Sequence, residues 1–205
     1  KRLKKTLPNW VEQAASVHLP AGPGKKVLVF TMLRYWLEQT SMLSLALSAL
    51  GHQVTLIYLP YAHWKKPTNK FDLKRQDLYM GDALQPLQTH IKVISALDLP
   101  QARQIPEAIE SQLSHAAFRD VQYSLLREEV DPESDLYRLR LERNQAHARR
   151  MLAWIERERP QVVIVPNGSM LEFGITYQVA RYLGIPAVTY EFGEQSERLW
   201  MAQND

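Results

Sequence analysis

Three short stretches of the chain carry side chains suited to a hydroxyl-rich or phosphorylated ligand. The first, Thr31 to Gln39, sets Thr31, Arg34, Tyr35, Glu38 and Gln39 around Trp36. Aromatic faces beside a guanidinium and an amide suit a sugar ring or a phosphorylated acceptor. The second, Pro166 to Glu172, offers the small polar groups of Asn167, Gly168 and Ser169, followed by the Glu172 carboxylate. The third, Tyr190 to Gln195, contains Glu191, a carboxylate that can accept a proton from a reacting hydroxyl. Glu191 and Glu38 are thus the candidate catalytic residues. Thr31, Arg34, Tyr35, Gln39, Asn167, Gly168, Ser169 and Glu172 are the candidate substrate-binding residues.

Each also has a purely structural reading. Tyr35, Trp36 and Leu37 can plug the top of a sheet, and Arg34 can pair with Glu38 at i,i+4. Ser169 and Glu172 spell an S-x-x-E capping box, in which each side chain satisfies a backbone N–H of the first helical turn. Glu191 can cap a helix or pair with Arg198.

Other chemistries lack their residues. The first loop contains no glycine, so the G-x-G-x-x-G of a dinucleotide site is missing, and no G-x-x-x-x-G-K-[ST] occurs. With no cysteine there is no disulfide, thiolate nucleophile or zinc knuckle. The six histidines are scattered without ligand spacing, so no metal site is expected, and no serine has a His/Asp set around it.

The elements that position these stretches alternate. Val27 to Thr31 reads as a buried strand, about Gln39 to Leu50 as a helix closed by Gly51, and Val54 to Leu59 as a second strand: a right-handed βαβ unit. Tyr61 to His90 reads as a surface loop with a helix from about Leu73 to Leu87, and Ile91 to Leu97 as a third strand. A helical insertion, 98–160, is broken at Pro106 and at Asp131-Pro132, where Asp131 is a good cap for the next helix. Between residues 127 and 159 eight arginines oppose eight acids, which reads as a solvated, salt-bridged face. Val162 to Val165 and Ala187 to Tyr190 are strands four and five, flanking a helix that ends at Gly184. Gln195 to Asp205 reads as the start of a helix. The result is an α/β, Rossmann-like, doubly wound parallel sheet of order 3-2-1-4-5. In such a sheet, ligands bind beyond the carboxyl ends of the strands where the winding reverses, and the three stretches converge there.

Composition bounds the setting. The 205 residues are 45% hydrophobic and 23% charged, with a net charge of +3. No apolar run approaches the ~18 residues that cross a bilayer. Absence of cysteine suits a cytoplasmic setting. Residues 1–26 carry six Lys or Arg against one Glu, and residues 61–80 five against two Asp. These patches read either as a solvated basic arm (1–24) and loop or as a weak foothold on anionic lipid at the inner face of the membrane, through Lys1 to Lys5 and the 61–80 patch. No nucleic-acid-reading motif accompanies them.

Two phrases carry a family resemblance. Lys26-Val27-Leu28-Val29-Phe30-Thr31 with Ala49-Leu50-Gly51-His52-Gln53-Val54-Thr55-Leu56 resembles the opening of GT-B-fold glycosyltransferases. Pro160 to Gly168, then Ala180-Arg181-Tyr182-Leu183-Gly184-Ile185-Pro186-Ala187-Val188-Thr189-Tyr190-Glu191, is similar to their "P-D-V-V… A-R-x-L-G-I-P-x-V" stretch. The resemblance covers about a third of the chain and is greatest to bacterial enzymes of cell-surface or capsule polysaccharide assembly. It implies an acceptor-side domain for a glycan or lipid-linked acceptor. The nucleotide-sugar donor would then sit on a following Rossmann-like domain, expected beyond Asp205 as this domain's partner, with no cofactor here. The chain departs from the family in lacking its glycine-rich loop and the histidine base after the first strand. The alternative is a stand-alone binding module for a sugar, nucleotide or phosphorylated metabolite.

Overall fold

The computed structural model describes residues 2–17, 23–61, 63–192 and 199–204. Six strands form one sheet: β1 (Lys26–Met32), β2 (Gln53–Leu59), β3 (Lys92–Ser95), β4 (Val162–Pro166), β5 (Ala187–Phe192) and β6 (Leu199–Gln203). Their order is β3-β2-β1-β4-β5-β6. The first five strands run parallel and β6 is antiparallel to β5. The order therefore differs from the five-strand expectation by an added edge strand. The helix expected to begin at Gln195 is not formed across 199–203; those residues pair with β5, and Gly193 to Arg198 lie outside the described residues.

Helices α1 (Arg2–Ser16), α2 (Arg34–Ala49) and α3 (Lys70–Leu84) precede α4 (Glu107–Leu125), α5 (Asp135–Glu158) and α6 (Leu171–Tyr182). Alternation along β1 decides the layers. Val27 and Val29 join a core with Leu37 and Leu45 of α2. Leu28, Phe30 and Met32 join the larger core with residues of α4, α5 and α6. A strand buried on both faces reads as a continuous apolar run, as β1 does. Gly51 and Gly184 end α2 and α6 at φ 88° and 70°, where a side chain would be strained.

Several boundaries moved for identifiable reasons. Within the expected basic arm, residues 2–16 are a helix: Leu3, Leu7, Trp10, Val11 and Ala14 fall on one face of α1, and Leu7 is fully buried. Helix α3 begins at Lys70 because Asn69 caps it, its Oδ1 accepting from the Asp72 N–H at 2.8 Å. Asp131 does not cap α5. Its carboxylate accepts from the Glu133 N–H, and Ser134 takes the capping position three residues later. Helix α2 starts at Arg34, so residues expected in a loop form its first turns.

Helix α4 ends on Leu126, at φ 52° and 86% exposed. A side chain in this left-handed conformation costs of order 1 kcal/mol and buries nothing here. Leu126→Gly is expected to stabilise the fold by about 0.5–1 kcal/mol, read as a rise in the urea midpoint.

Candidate functional site

Strands β1, β4 and β5 are parallel neighbours, so the chain leaves Met32, Pro166 and Phe192 at the same edge of the sheet. Helix α2 leaves on one face and α6 on the other, which makes the β1/β4 boundary the point of reversal. The backbone is strained there. Leu33 has φ 64° and ψ 140°, Asn167 φ 46° and Leu171 φ 54°. Each such residue costs of order 1–3 kcal/mol and persists only when its surroundings hold it.

At the first turn the side chain of Leu33 is buried in the larger core, Arg34 is exposed and Tyr35 is 64% exposed. Trp36 bridges the edge. Its ring stacks on Phe192 at 5.5 Å and meets Tyr190 and Phe173 edge-on at 5.8 and 6.1 Å. Of the expected plug, Trp36 and Leu37 are packed in and Tyr35 is not. The Arg34–Glu38 pair does not form: Glu38 takes Arg2 of α1, at 3.2 Å.

Thr31 points to the α2 face and is fully buried. In the register of the parallel pairs, Thr31 of β1, Pro166 of β4 and Tyr190 of β5 lie in one row, with Thr31 and Tyr190 about 10 Å apart at two strand spacings. Among the described residues, the Thr31 hydroxyl, the Tyr190 hydroxyl and the Gln39 side-chain oxygen are buried without a hydrogen-bond partner. An orphaned buried polar atom costs about 1–3 kcal/mol, so several in one layer under a strained turn need a reason. Burial raises the Tyr190 phenol above its ordinary pKa.

At the second turn the Asn167 N–H donates to the Tyr190 carbonyl at 3.1 Å, tying β4's end to β5's. The Asn167 side-chain oxygen accepts from both the N–H and the hydroxyl of Ser169, at 3.0 and 2.8 Å. Gly168 is required by close approach, because an added Cβ would lie 2.3 Å from the Thr189 methyl. The expected Ser169/Glu172 capping box does not form. The N-terminus of α6 is instead capped from a distance: Asp120 of α4 accepts from the Leu171 N–H at 2.7 Å. Freed from capping, Glu172 turns inward and is fully buried, its carboxylate taken by Arg140. Glu191 stands exposed near the end of β5, opposite Trp200 of β6; its alternative partner Arg198 lies outside the described residues.

Under this edge, α4, α5 and α6 share a buried ionic network. Arg140 donates to Asp120 at 3.1 Å through Nε, and through Nη2 to Glu172 at 2.9 Å and to Asn144 at 3.0 Å. All three charged side chains are fully buried. Burial pushes the Glu172 carboxyl up, but the Arg140 guanidinium more than offsets this and leaves it below the usual range. Burial prevails at Asp120, which is raised. The Thr176 hydroxyl donates to the Glu172 carbonyl, so His147 is the donor, through Nε2, in its 2.8 Å contact with Thr176. Arg143 clamps the chain after β2, donating to the carbonyls of His63, Trp64 and Lys66 while stacking over Tyr61 at 4.3 Å. None of these network roles was expected from the charge balance of α5. The available signal was spacing: Arg140, Asn144 and His147 continue the face of Ala148, Met151 and Ile155.

A separate cavity of about 560 Å³ opens at the opposite, amino end of the sheet, lined by Lys26, Gln53, Thr55, His90, Lys92 and Trp154. It lacks the strained turns of the carboxyl edge, where parallel sheets place their ligands. Among the described residues, no His, Asp and Glu side chains gather as a metal site. Nor is any helix long and apolar enough to cross a membrane.

The fold is a doubly wound α/β domain whose winding reverses at the β1/β4 boundary. No family model and no curated protein matches the chain. Among solved structures, a CDPS from Fluoribacter dumoffii is similar, with a TM-score of 0.51 and 14% identity over 87% of this chain and 90% of that one. A likeness at that identity speaks for the α/β fold and carries no substrate or activity across.

Proposed function

We propose that this domain binds the hydroxyl-rich acceptor in a sugar-transfer reaction, at the carboxyl edge between α2 and α6. The observation that carries the reading is the pair of buried hydroxyls, Thr31 and Tyr190, that no described residue partners, under the strained turns at Leu33 and Asn167. A ligand hydroxyl can both donate to and accept from such groups, which an apolar ligand cannot. The GT-B-like phrases support the same assignment, since they include β1, β4 and β5, whose carboxyl ends form this edge. In the transfer step, Glu191 would take the proton of the acceptor hydroxyl. That oxygen would form the new glycosidic bond as a nucleoside diphosphate leaves a donor held on a second domain. Glu38, tied to Arg2, is the weaker candidate for that role.

Amide-resolved titration with N-acetylglucosamine and glucose 1-phosphate tests the site. Shifts are expected at 31–39, 167–171 and 190–192. Tyr190→Phe is expected to weaken binding about tenfold, the worth of one good hydrogen bond, while leaving stability equal or higher because it removes an unsatisfied hydroxyl. Shifts confined to the amino-end cavity, or binding indifferent to Tyr190→Phe, would overturn the assignment.

A further inference from the structure

Helix α3 wears its apolar residues on the outside. At 3.6 residues per turn, Phe71 and Leu78 point within about 20° of each other. They are 77% and 66% exposed, with Tyr79 beside them at 56%. Lys70, Lys74 and Arg75 are exposed on the same arc, and Lys66 sits in the loop just before it. Asp72 is used up as the partner of Arg75 and Asp82 as that of Lys4, whose ammonium also lies over the Tyr79 ring at 5.3 Å. Among the described residues, Lys66, Lys70 and Lys74 have no carboxylate partner. Leu73 and Met80 lie on the half-buried side, so the outward placing of Phe71 and Leu78 does not follow from a missing core.

We propose that the outer face of α3 is a docking surface for an anionic lipid bilayer. Phe71 and Leu78 would enter the headgroup layer while Lys66, Lys70 and Lys74 meet lipid phosphates. The charge pattern chooses the occupant. Apolar side chains alternate with unpaired lysines, and lysine is depleted at the buried centre of protein interfaces, whereas a bilayer surface solvates both. Lysine stems can lie along the apolar layer with their ammonium groups among the phosphates. Helix α3 also follows the segment leaving the carboxyl end of β2, so a docked domain would hold its candidate site near the lipid surface. The proposal stands whether or not the ligand there is a sugar acceptor.

The chain has no cysteine, so Phe71→Cys can be labelled at one position with an environment-sensitive fluorophore. Leu126→Cys, on the opposite layer, is the control. The probes are vesicles of phosphatidylcholine alone and of phosphatidylcholine with an equal part of phosphatidylglycerol. The expected result is co-sedimentation and a blue shift of the label at Phe71 but not Leu126, with the mixed vesicles only, fading as salt is added. Lys70→Glu with Lys74→Glu should weaken partitioning at least 25-fold, about fivefold per lysine. Phe71→Ser with Leu78→Ser should abolish the residual binding at moderate salt. All four positions are exposed, and circular dichroism checks that the variants fold. No binding to mixed vesicles at low salt overturns the proposal, as does binding that survives both double variants. Capture of an RNA homopolymer by the same lysines without any vesicle shift would assign the face to a nucleic acid, and overturn it likewise.

Discussion

Arg140→Met is expected to destabilise the fold by about 3–5 kcal/mol, the usual cost of leaving buried carboxylates without their cation. That is a large share of the 5–15 kcal/mol typical of a domain. Arg140 is fully buried and serves two carboxylates on two different helices, Asp120 of α4 and Glu172 of α6. Methionine fills similar space, so the loss reports charge and hydrogen bonds rather than a void. Urea unfolding should show a lower midpoint with unchanged slope. Adding Glu172→Gln to Arg140→Met is expected to recover part of the loss, since one of the two stranded charges is then removed. A double variant that loses the full sum of the single effects would show that the ion pair is not the reason for Arg140's importance. The consequence reaches the candidate site, because Asp120 is also the remote cap of the strained Leu171. Loosening Asp120 frees the start of α6, and with it the Asn167 turn.

Acid is expected to unfold the protein earlier than its carboxylates alone would require, because of His147. Burial holds the His147 imidazole down to about 3, against 6.5 when exposed. The depressed pKa fixes the sign. Above pH 6.5 the ring is neutral in both states and the fold has its full stability. As pH falls, the unfolded chain takes up a proton that the folded one refuses, and stability declines until pH reaches about 3. Each unit costs about 1.4 kcal/mol, so His147 alone removes roughly 3 kcal/mol between pH 6.5 and 4. Asp120, raised by burial, opposes this, and Glu172, lowered beside Arg140, adds to it below the ordinary glutamate range. Comparing the protein with His147→Gln, whose amide can still donate to Thr176, isolates the histidine. Stability of the variant should be nearly flat between pH 6.5 and 5.5 while the parent falls by about 1 kcal/mol. Parallel curves would remove His147 as the sensor.

The carboxyl edge was legible from the chain because its determinants are local. Apolar runs of four to seven residues around Val29, Ile57 and Ile164, cut by Gly51, Pro60 and Pro166, specify buried strands joined by short crossovers. The parallel winding then forces the turns after Met32 and Pro166 to one end. The content of the site was only half legible. Thr31 and Gln39 were singled out by position, yet Tyr190 reads as one more strand residue until its hydroxyl is found buried with no partner among the described residues. Ser169 and Glu172 match a capping pattern, but sequence spacing cannot reveal that Asp120, 51 residues away, reaches the Leu171 N–H first.

The sequence by itself determined which residues share a face, and hence the strands, most helices and the edge where the turns meet. Tertiary structure decided which faces are covered. Arg140 and His147 lie on the same stripe as Met151, but whether a stripe of arginines meets water or two carboxylates depends on where α4 and α6 pack. Likewise Leu199 to Gln203 becomes a strand because β5 offers an unpaired edge, and Phe71 stays in the open because no described element packs over that face of α3. Backbone periodicity is set within a few residues of chain; desolvation is set by neighbours distant in sequence, and only their arrival fixes which charges are paired and which surfaces are left over.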